Sequence, residues 1–101
     1  MQKKHQIIID AINKVEGVFT NSEKKILIEF IAISIDNQVT VTTKLLKNLT
    51  SLSSTAIYTA INSLQLKGYI KKMTIKKHSY EIDTDNLQCI VDLSNAQLRS
   101  E

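Results

Sequence analysis

The hydrophobic pattern of this chain changes its period at Gly68. Before it, the segment from Ser53 to Lys67 carries apolar residues at helical spacing: Ile57, Ala60, Ile61 and Leu64. After it, residues 69–75 and 80–82 are rich in Ile, Tyr and Thr, which indicates two strands. Glycine readily adopts the left-handed conformation that ends many helices, so it suits a reversal from helix to strand. The pattern predicts a helix followed directly by a β-hairpin, whose connecting loop at 76–79 has about four residues because no Asn-Gly pair offers a tighter turn.

Two helices are predicted before this unit. The first covers about residues 2–15 and ends before Gly17. The second begins with Thr20-Asn21-Ser22-Glu23, which has the form of a capping box, and continues to about Asp36. Its apolar face is wide, which favours a helix buried on two sides, either centrally in the fold or in a dimer.

Shorter elements complete the pattern. Residues 39–41 alternate between apolar and polar side chains, as in a short strand. Thr42 or Thr43 can then cap a short helix that ends near Leu49. The inward side of that helix is predicted to carry Leu45, Leu46 and Leu49. Ser53 is the predicted N-cap of the next helix, and Asp83 or Thr84 that of the last one. The last helix has an apolar side made of Leu87, Ile90, Val91 and Leu98.

A chain of 101 residues with 43% apolar residues is expected to form one domain, residues 1–101, around one core. The fold class is mostly α with a small antiparallel β-hairpin. The single cysteine, Cys89, excludes an internal disulfide and is expected to be a small buried hydrophobe. The absence of a secretory apolar segment or a membrane span leads us to expect a cytoplasmic protein. We find no metal-ligand cluster, phosphate-binding glycine loop or nucleophile motif, so neither an enzyme nor a cofactor is expected.

The formal charge of +3 is unevenly distributed. Residues 67–82 carry five lysines against Glu81, a net +4, whereas residues 83–101 carry a net −3. A local basic excess is typical of a surface that binds a phosphate backbone. It is also compatible with lysines that protect a strand edge from pairing. Charge alone leaves both interpretations open.

The stretch from Leu52 to Ile70, LSSTAIYTAINSLQLKGYI, carries a resemblance to a known family. Its Leu-Ser-Ser-Thr start, the aliphatic Ile57 and its Leu-x-x-Lys-Gly-Tyr-Ile end are similar to the recognition helix and strand entry of MarR-like and GntR-like winged-helix regulators. The resemblance covers about residues 38–82. It implies a winged helix-turn-helix flanked by helices at 1–36 and 84–99. The chain departs from the family in two ways. The only cation of the predicted helix is Lys67 at its far end, and the wing carries lysines where the family usually has arginines.

The resemblance and the helical spacing together suggest a surface for double-stranded DNA. The face opposite Ile57 and Ile61 carries short polar groups and one aromatic, and the hairpin adds cations. The candidate DNA-binding residues are Ser53, Ser54, Thr55, Tyr58, Thr59, Asn62, Lys71, Lys76, Lys77 and His78. Asn62 can pair with adenine, while hydroxyls, lysines and the helix start suit phosphates. Tyr58 is equally compatible with stacking on a base and with a partly buried edge of the core.

We therefore expect a DNA-binding transcriptional regulator that places helix 53–67 in the major groove and works as a homodimer without an inferable small-molecule effector. Aliphatic side chains outside the predicted helix-turn-helix and wing are candidates for the dimer interface: Ile7, Ile9, Ile33, Leu93 and Leu98. These side chains can instead close a monomeric core. Three other functions remain open: a winged-helix module of a plasmid or phage replication complex, a winged helix that binds protein, and a small structural or adaptor protein.

Overall fold

The computed structural model describes residues 3–99, which form five helices and one three-stranded antiparallel sheet. The elements follow the chain in this order: α1 Lys3–Lys14, α2 Asn21–Ile33, β1 Gln38–Thr40, α3 Thr43–Thr50, α4 Ser54–Leu66, β2 Ile70–Lys72, β3 Ser79–Ile82 and α5 Thr84–Arg99. The coarse prediction of a mostly helical chain with a small antiparallel β-structure is therefore confirmed.

The capping box at the start of α2 is formed as predicted. Thr20 Oγ1 accepts the Glu23 amide at 3.1 Å, and the Glu23 carboxylate accepts the Thr20 amide at 2.9 Å. The helix ends at Ile33, three residues before the predicted Asp36, because Ser34 is extended. Asp36 and Asn37 then adopt positive φ angles of 52° and 63°, which form a tight turn into β1.

The sheet has the order β1-β3-β2, so the strand near Val39 joins the hairpin instead of standing alone. The first hairpin strand, β2, is shorter than the predicted 69–75, whereas β3 begins one residue before the predicted 80–82, and the loop between them spans residues 73–78. The predicted four-residue loop is therefore wrong. The Met73 amide donates to the Ser79 carbonyl at 2.9 Å and closes the β2–β3 ladder there.

The core lies between the helices and the inner face of the sheet, with α2 at its centre. This helix packs against α1, α3, α4 and β1. Its Ile26, Leu27 and Phe30 have no exposed surface, which agrees with a helix buried on two sides. On α4 the four predicted apolar positions are all buried.

Several burial predictions are wrong. Leu45 and Leu49 are exposed, because α3 turns a single narrow stripe inward, with Leu46 and Thr50 as its buried residues. Leu98 is exposed at the end of α5, and Cys89 lies on the outer side of the same helix. The spacing of apolar residues in a helix therefore predicts more buried side chains than the neighbouring elements can cover.

The proposed dimer residues do not form one surface. Ile9 is buried within the chain and offers nothing to a partner. Ile7 and Leu98 line a groove between α1 and α5, whereas Ile33 lines a separate groove beside β1. If these aliphatics serve an interface, the α1–α5 groove is the one that brings two of them together.

Candidate nucleic-acid interface

Helices α3 and α4 are joined by the three residues Ser51, Leu52 and Ser53. Ser51 adopts a left-handed conformation with φ 61°, and its amide donates to the Lys47 carbonyl. The side chain of Ser53 then accepts the Ala56 amide at 3.1 Å and caps α4, as predicted. The chain thus reverses within three residues, and α4 begins with its first amides directed outward at the surface.

The outward face of α4 is polar and uncharged. Thr55, Tyr58, Thr59 and Asn62 are exposed, and Ser54 is half-buried beside the cap. The opposite face is anchored by Ile57 and Leu64, which have no exposed surface. The sequence of α4 contains no Asp or Glu, so this face does not repel phosphates.

Tyr58 lies on the surface and does not belong to the core. Its side chain is 57% exposed, and Thr43 Oγ1 donates a hydrogen bond to its hydroxyl at 3.0 Å. This bond holds the phenol over the start of α3. One edge of the ring is thereby fixed while the rest stays accessible.

Tyr80 packs the hairpin onto α2. Its ring lies 5.3 Å from that of Phe30, centroid to centroid. Burial, and secondarily the nearby Tyr58 phenol, raises the pKa of Tyr80 above its usual value. The base of the hairpin itself lies next to α4, because β2 packs against that helix.

The hairpin lysines are divided between two faces of the sheet. Directly paired residues of antiparallel strands project to the same face. Lys71 is paired with Glu81, which also faces Gln38, on the outer side. Lys72 is paired with Tyr80 on the side of the helices. Of the predicted site residues, Lys71 is thus the one that shares its face with a carboxylate.

The loop after β2 presents the remaining predicted cations. Lys76, Lys77 and His78 are all exposed. His78 has a positive φ of 60°, and its carbonyl accepts the Val41 amide at 2.9 Å. The loop is therefore attached to the β1 side as well as to its own strands.

Lys67 differs from the other lysines of this region. Its Nζ lies 2.7 Å from Glu23 Oε2, donates to the Val18 carbonyl at 2.9 Å and sits 5.7 Å from the centre of the Phe19 ring. The one cation expected at the end of helix 53–67 is thus paired with a buried carboxylate, although its own side chain stays 36% exposed. The other lysines of residues 67–82 are the four of the hairpin, and all four are exposed.

Three exposed lysines in the same part of the chain were not among the predicted residues. Residues 37–80 contain seven lysines and no Asp or Glu. Lys44 and Lys47 of α3 and Lys72 of β2 are exposed members of that stretch. The absence of acidic residues from 37–80 is visible in the sequence alone. The link of Thr43 to the candidate site, in contrast, is visible only in its contact with Tyr58.

Other kinds of site are not found among residues 3–99. No group of three His, Cys, Asp or Glu side chains there could hold a metal ion. No helix in that part of the chain is long and apolar enough to cross a membrane. Comparisons of the chain with family models, with curated proteins and with solved structures gave no match.

Proposed function

We propose that this chain is a winged helix-turn-helix protein that binds double-stranded DNA and acts as a transcriptional regulator. The observation that carries the proposal is the polar, acid-free face of α4 beside a hairpin with four exposed lysines. In this proposal α3 and α4 form the helix-turn-helix, and β2, β3 and the loop 73–78 form the wing.

The recognition step uses α4 in the major groove, which is about 12 Å wide and admits one helix. Asn62 is the side chain suited to reading an adenine edge, and the hydroxyls of Thr55, Tyr58 and Thr59 suit phosphates. Lysines of α3 and of the wing neutralise the backbone on either side. Affinity therefore arises mainly from phosphate contacts and falls steeply with salt.

A regulator of this type acts by occupying its operator. We propose that the homodimer forms through the α1–α5 groove that contains Ile7 and Leu98. To read two half-sites, this dimer has to hold its two copies of α4 about one helical turn of DNA apart. Occupied half-sites then block or recruit the polymerase. Light scattering tests this part: a mass of one chain at micromolar concentration contradicts the dimer and leaves the DNA-binding surface unaffected.

The DNA-binding part is tested by fluorescence anisotropy with a generic duplex of about 30 bp, titrated from about 50 to 200 mM salt. We expect saturable binding whose affinity decreases with salt. The double variant Lys76→Gln/Lys77→Gln is expected to lower the slope of log K against log salt by about 2 if both lysines contact phosphates. No binding at the lowest salt contradicts the proposal.

The matched control is Lys3→Gln/Lys4→Gln, which removes two adjacent positive charges from α1 and leaves the wing intact. It is expected to retain most of the affinity and the salt slope. Equal losses in both double variants would show attraction to net charge alone and would remove the wing from the interface.

A further inference from the structure

The tip of the loop 73–78 presents an isoleucine to solvent. Ile75 is 93% exposed, the largest exposed fraction among the large hydrophobic side chains of residues 3–99. The loop beneath it is anchored on both sides. The Met73 amide donates to Ser79, the Val41 amide donates to His78, and the hydroxyls of Thr40 and Ser79 lie 2.8 Å apart. Ile75 therefore lies at the tip of a loop whose two ends are held by hydrogen bonds.

The surroundings of this side chain are cationic. Lys71 and Lys72 precede it, and Lys76 and Lys77 follow it directly. A shallow groove beside it is lined by Lys71, Lys72, Met73, Thr74, Ile75 and Glu81. A single exposed hydrophobe on a surface needs no explanation. Ile75 shares its groove with Lys71 and Lys72 and is followed directly by Lys76 and Lys77, on a loop anchored at both ends, which fits a partner that is anionic outside and apolar within.

Duplex DNA has this combination of properties at the minor groove. Its phosphates line a groove about 6 Å wide, and the stacked bases below accept apolar side chains between two steps. Leu, Ile, Phe and Met act as such wedges in proteins that bend DNA. Because α4 packs against β2, the strand that leads into the loop, a duplex seated on α4 has a neighbouring minor groove on the hairpin side of the helix.

We propose that Ile75 is a minor-groove wedge, which inserts between two base pairs while Lys76 and Lys77 hold the flanking phosphates. This inference rests on the proposed DNA binding and adds a source of sequence preference to it. Steps such as TA and CA/TG unstack most easily, so the wedge favours sites that place one of them beneath the loop. The protein then selects sequence through DNA deformability, in addition to any base contact of Asn62.

The test measures bending and affinity in the same titration. Two duplexes of about 30 bp are labelled at both ends with a donor and acceptor dye, one containing TA steps and one with a stiff A-tract. The full chain is compared with Ile75→Ala and with Leu66→Ala, whose side chain is 89% exposed at the end of α4. Both substitutions remove exposed atoms, so both variants are expected to fold.

We expect the wild-type chain to shorten the end-to-end distance of the TA duplex and to prefer it over the A-tract duplex by about three- to tenfold. Ile75→Ala is expected to lose the bending and the preference while its salt slope stays unchanged, since no charge is removed. Leu66→Ala is expected to behave as wild type.

The contrary outcomes are distinct. If the wild-type chain binds no DNA, the proposed function fails and the wedge fails with it. If DNA binding is strong but Ile75→Ala bends and discriminates as wild type does, the wedge alone is overturned. Binding to phosphatidylserine vesicles that depends on Ile75, without any bending of DNA, overturns it in favour of a lipid surface.

Discussion

The carboxylate of Glu23 lies 2.7 Å from the ammonium group of Lys67, and this ion pair joins the start of α2 to the end of α4. The Glu23 side chain is only 4% exposed, and its two oxygens also accept from the Thr20 amide and the Ser63 hydroxyl. One carboxylate thus completes the capping box of α2 and fixes the last turn of the proposed recognition helix. Glu23 therefore adds a polar attachment to the apolar anchoring of α4 by Ile57 and Leu64.

Replacement of that carboxylate is expected to destabilise the fold. Glu23→Gln removes the charge but keeps the size, and leaves Lys67 without its counter-charge. We expect the free energy of unfolding to fall by about 1–2 kcal/mol. This value lies in the lower part of the range for buried groups that lose a partner, because Lys67 stays partly hydrated. Urea denaturation at pH 7 measures it. Glu29→Gln, on the same helix and outside this cluster, is the control, and an equal loss in both variants would contradict a special role for Glu23.

The stability of the protein is expected to depend on pH through the same group. Burial alone raises the pKa of the Glu23 carboxyl, but hydrogen bonds from Lys67, Thr20 and Ser63 outweigh burial and hold the pKa below its usual value of 4.5. A carboxyl with a lowered pKa stabilises the folded state when ionised, so its contribution is complete above pH 4.5 and is lost as the pH falls through the folded pKa. The stability gap between wild type and Glu23→Gln should therefore narrow from pH 5 to pH 3. A gap that is constant over this range would refute the assignment.

The two glycines offer a matched pair of substitutions. Gly68 and Gly17 both have positive φ, 84° and 79°. A Cβ at Gly68 would stand 3.0 Å from Asn86 Nδ2, whereas at Gly17 it would meet no atom within 4 Å. Both Gly→Ala changes incur backbone strain of about 1–2 kcal/mol. Gly68→Ala is expected to cost more, because Asn86 must give up its hydrogen bond to the Lys67 carbonyl. Thermal denaturation of both variants checks the order, and a larger loss at Gly17 would contradict it.

The contact between Gln97 and Glu16 is expected to fix the end of α5 on α1. The Gln97 side-chain amide bonds both backbone groups of Glu16, at 2.9 and 3.0 Å. Gln97→Ala is expected to speed hydrogen exchange of the Glu16 amide while global stability falls by about 1 kcal/mol or less, since both bonds are exposed. Gln88→Ala, which removes a bond to Asp92 within α5, should leave Glu16 unchanged. Unaltered exchange at Glu16 in Gln97→Ala would show that the pairing carries no local stability.

Local elements could be predicted from the sequence where the residues that determine them lie close together in the chain. The capping box of Thr20 and Glu23, the Ser53 cap and the buried stripe of α4 each depend on residues within one turn of one another. Among the candidate site residues, the helical period alone places Tyr58 and Asn62 on the outward face of α4. Neither prediction needs knowledge of the rest of the chain.

Long-range partners decided what local pattern did not. Cys89 and Leu49 have the spacing of buried residues but lie where no neighbouring element covers them. The third strand, β1, joins the sheet because Val39 meets Tyr80, which lies 41 positions further along the chain. Lys67 is one of the five lysines of the basic segment 67–82, and Glu23, from another helix, pairs with its charge while the Lys67 side chain stays 36% exposed.

The sequence by itself thus determined the period switch at Gly68, the uncharged face of α4 and the lysines that follow, because these are local properties of spacing and residue type. The tertiary structure decided which lysines remain free and which hydrophobic side chains are covered. It also joined β1 to the hairpin, since charge pairing, burial and the closure of a sheet depend on residues distant in the chain.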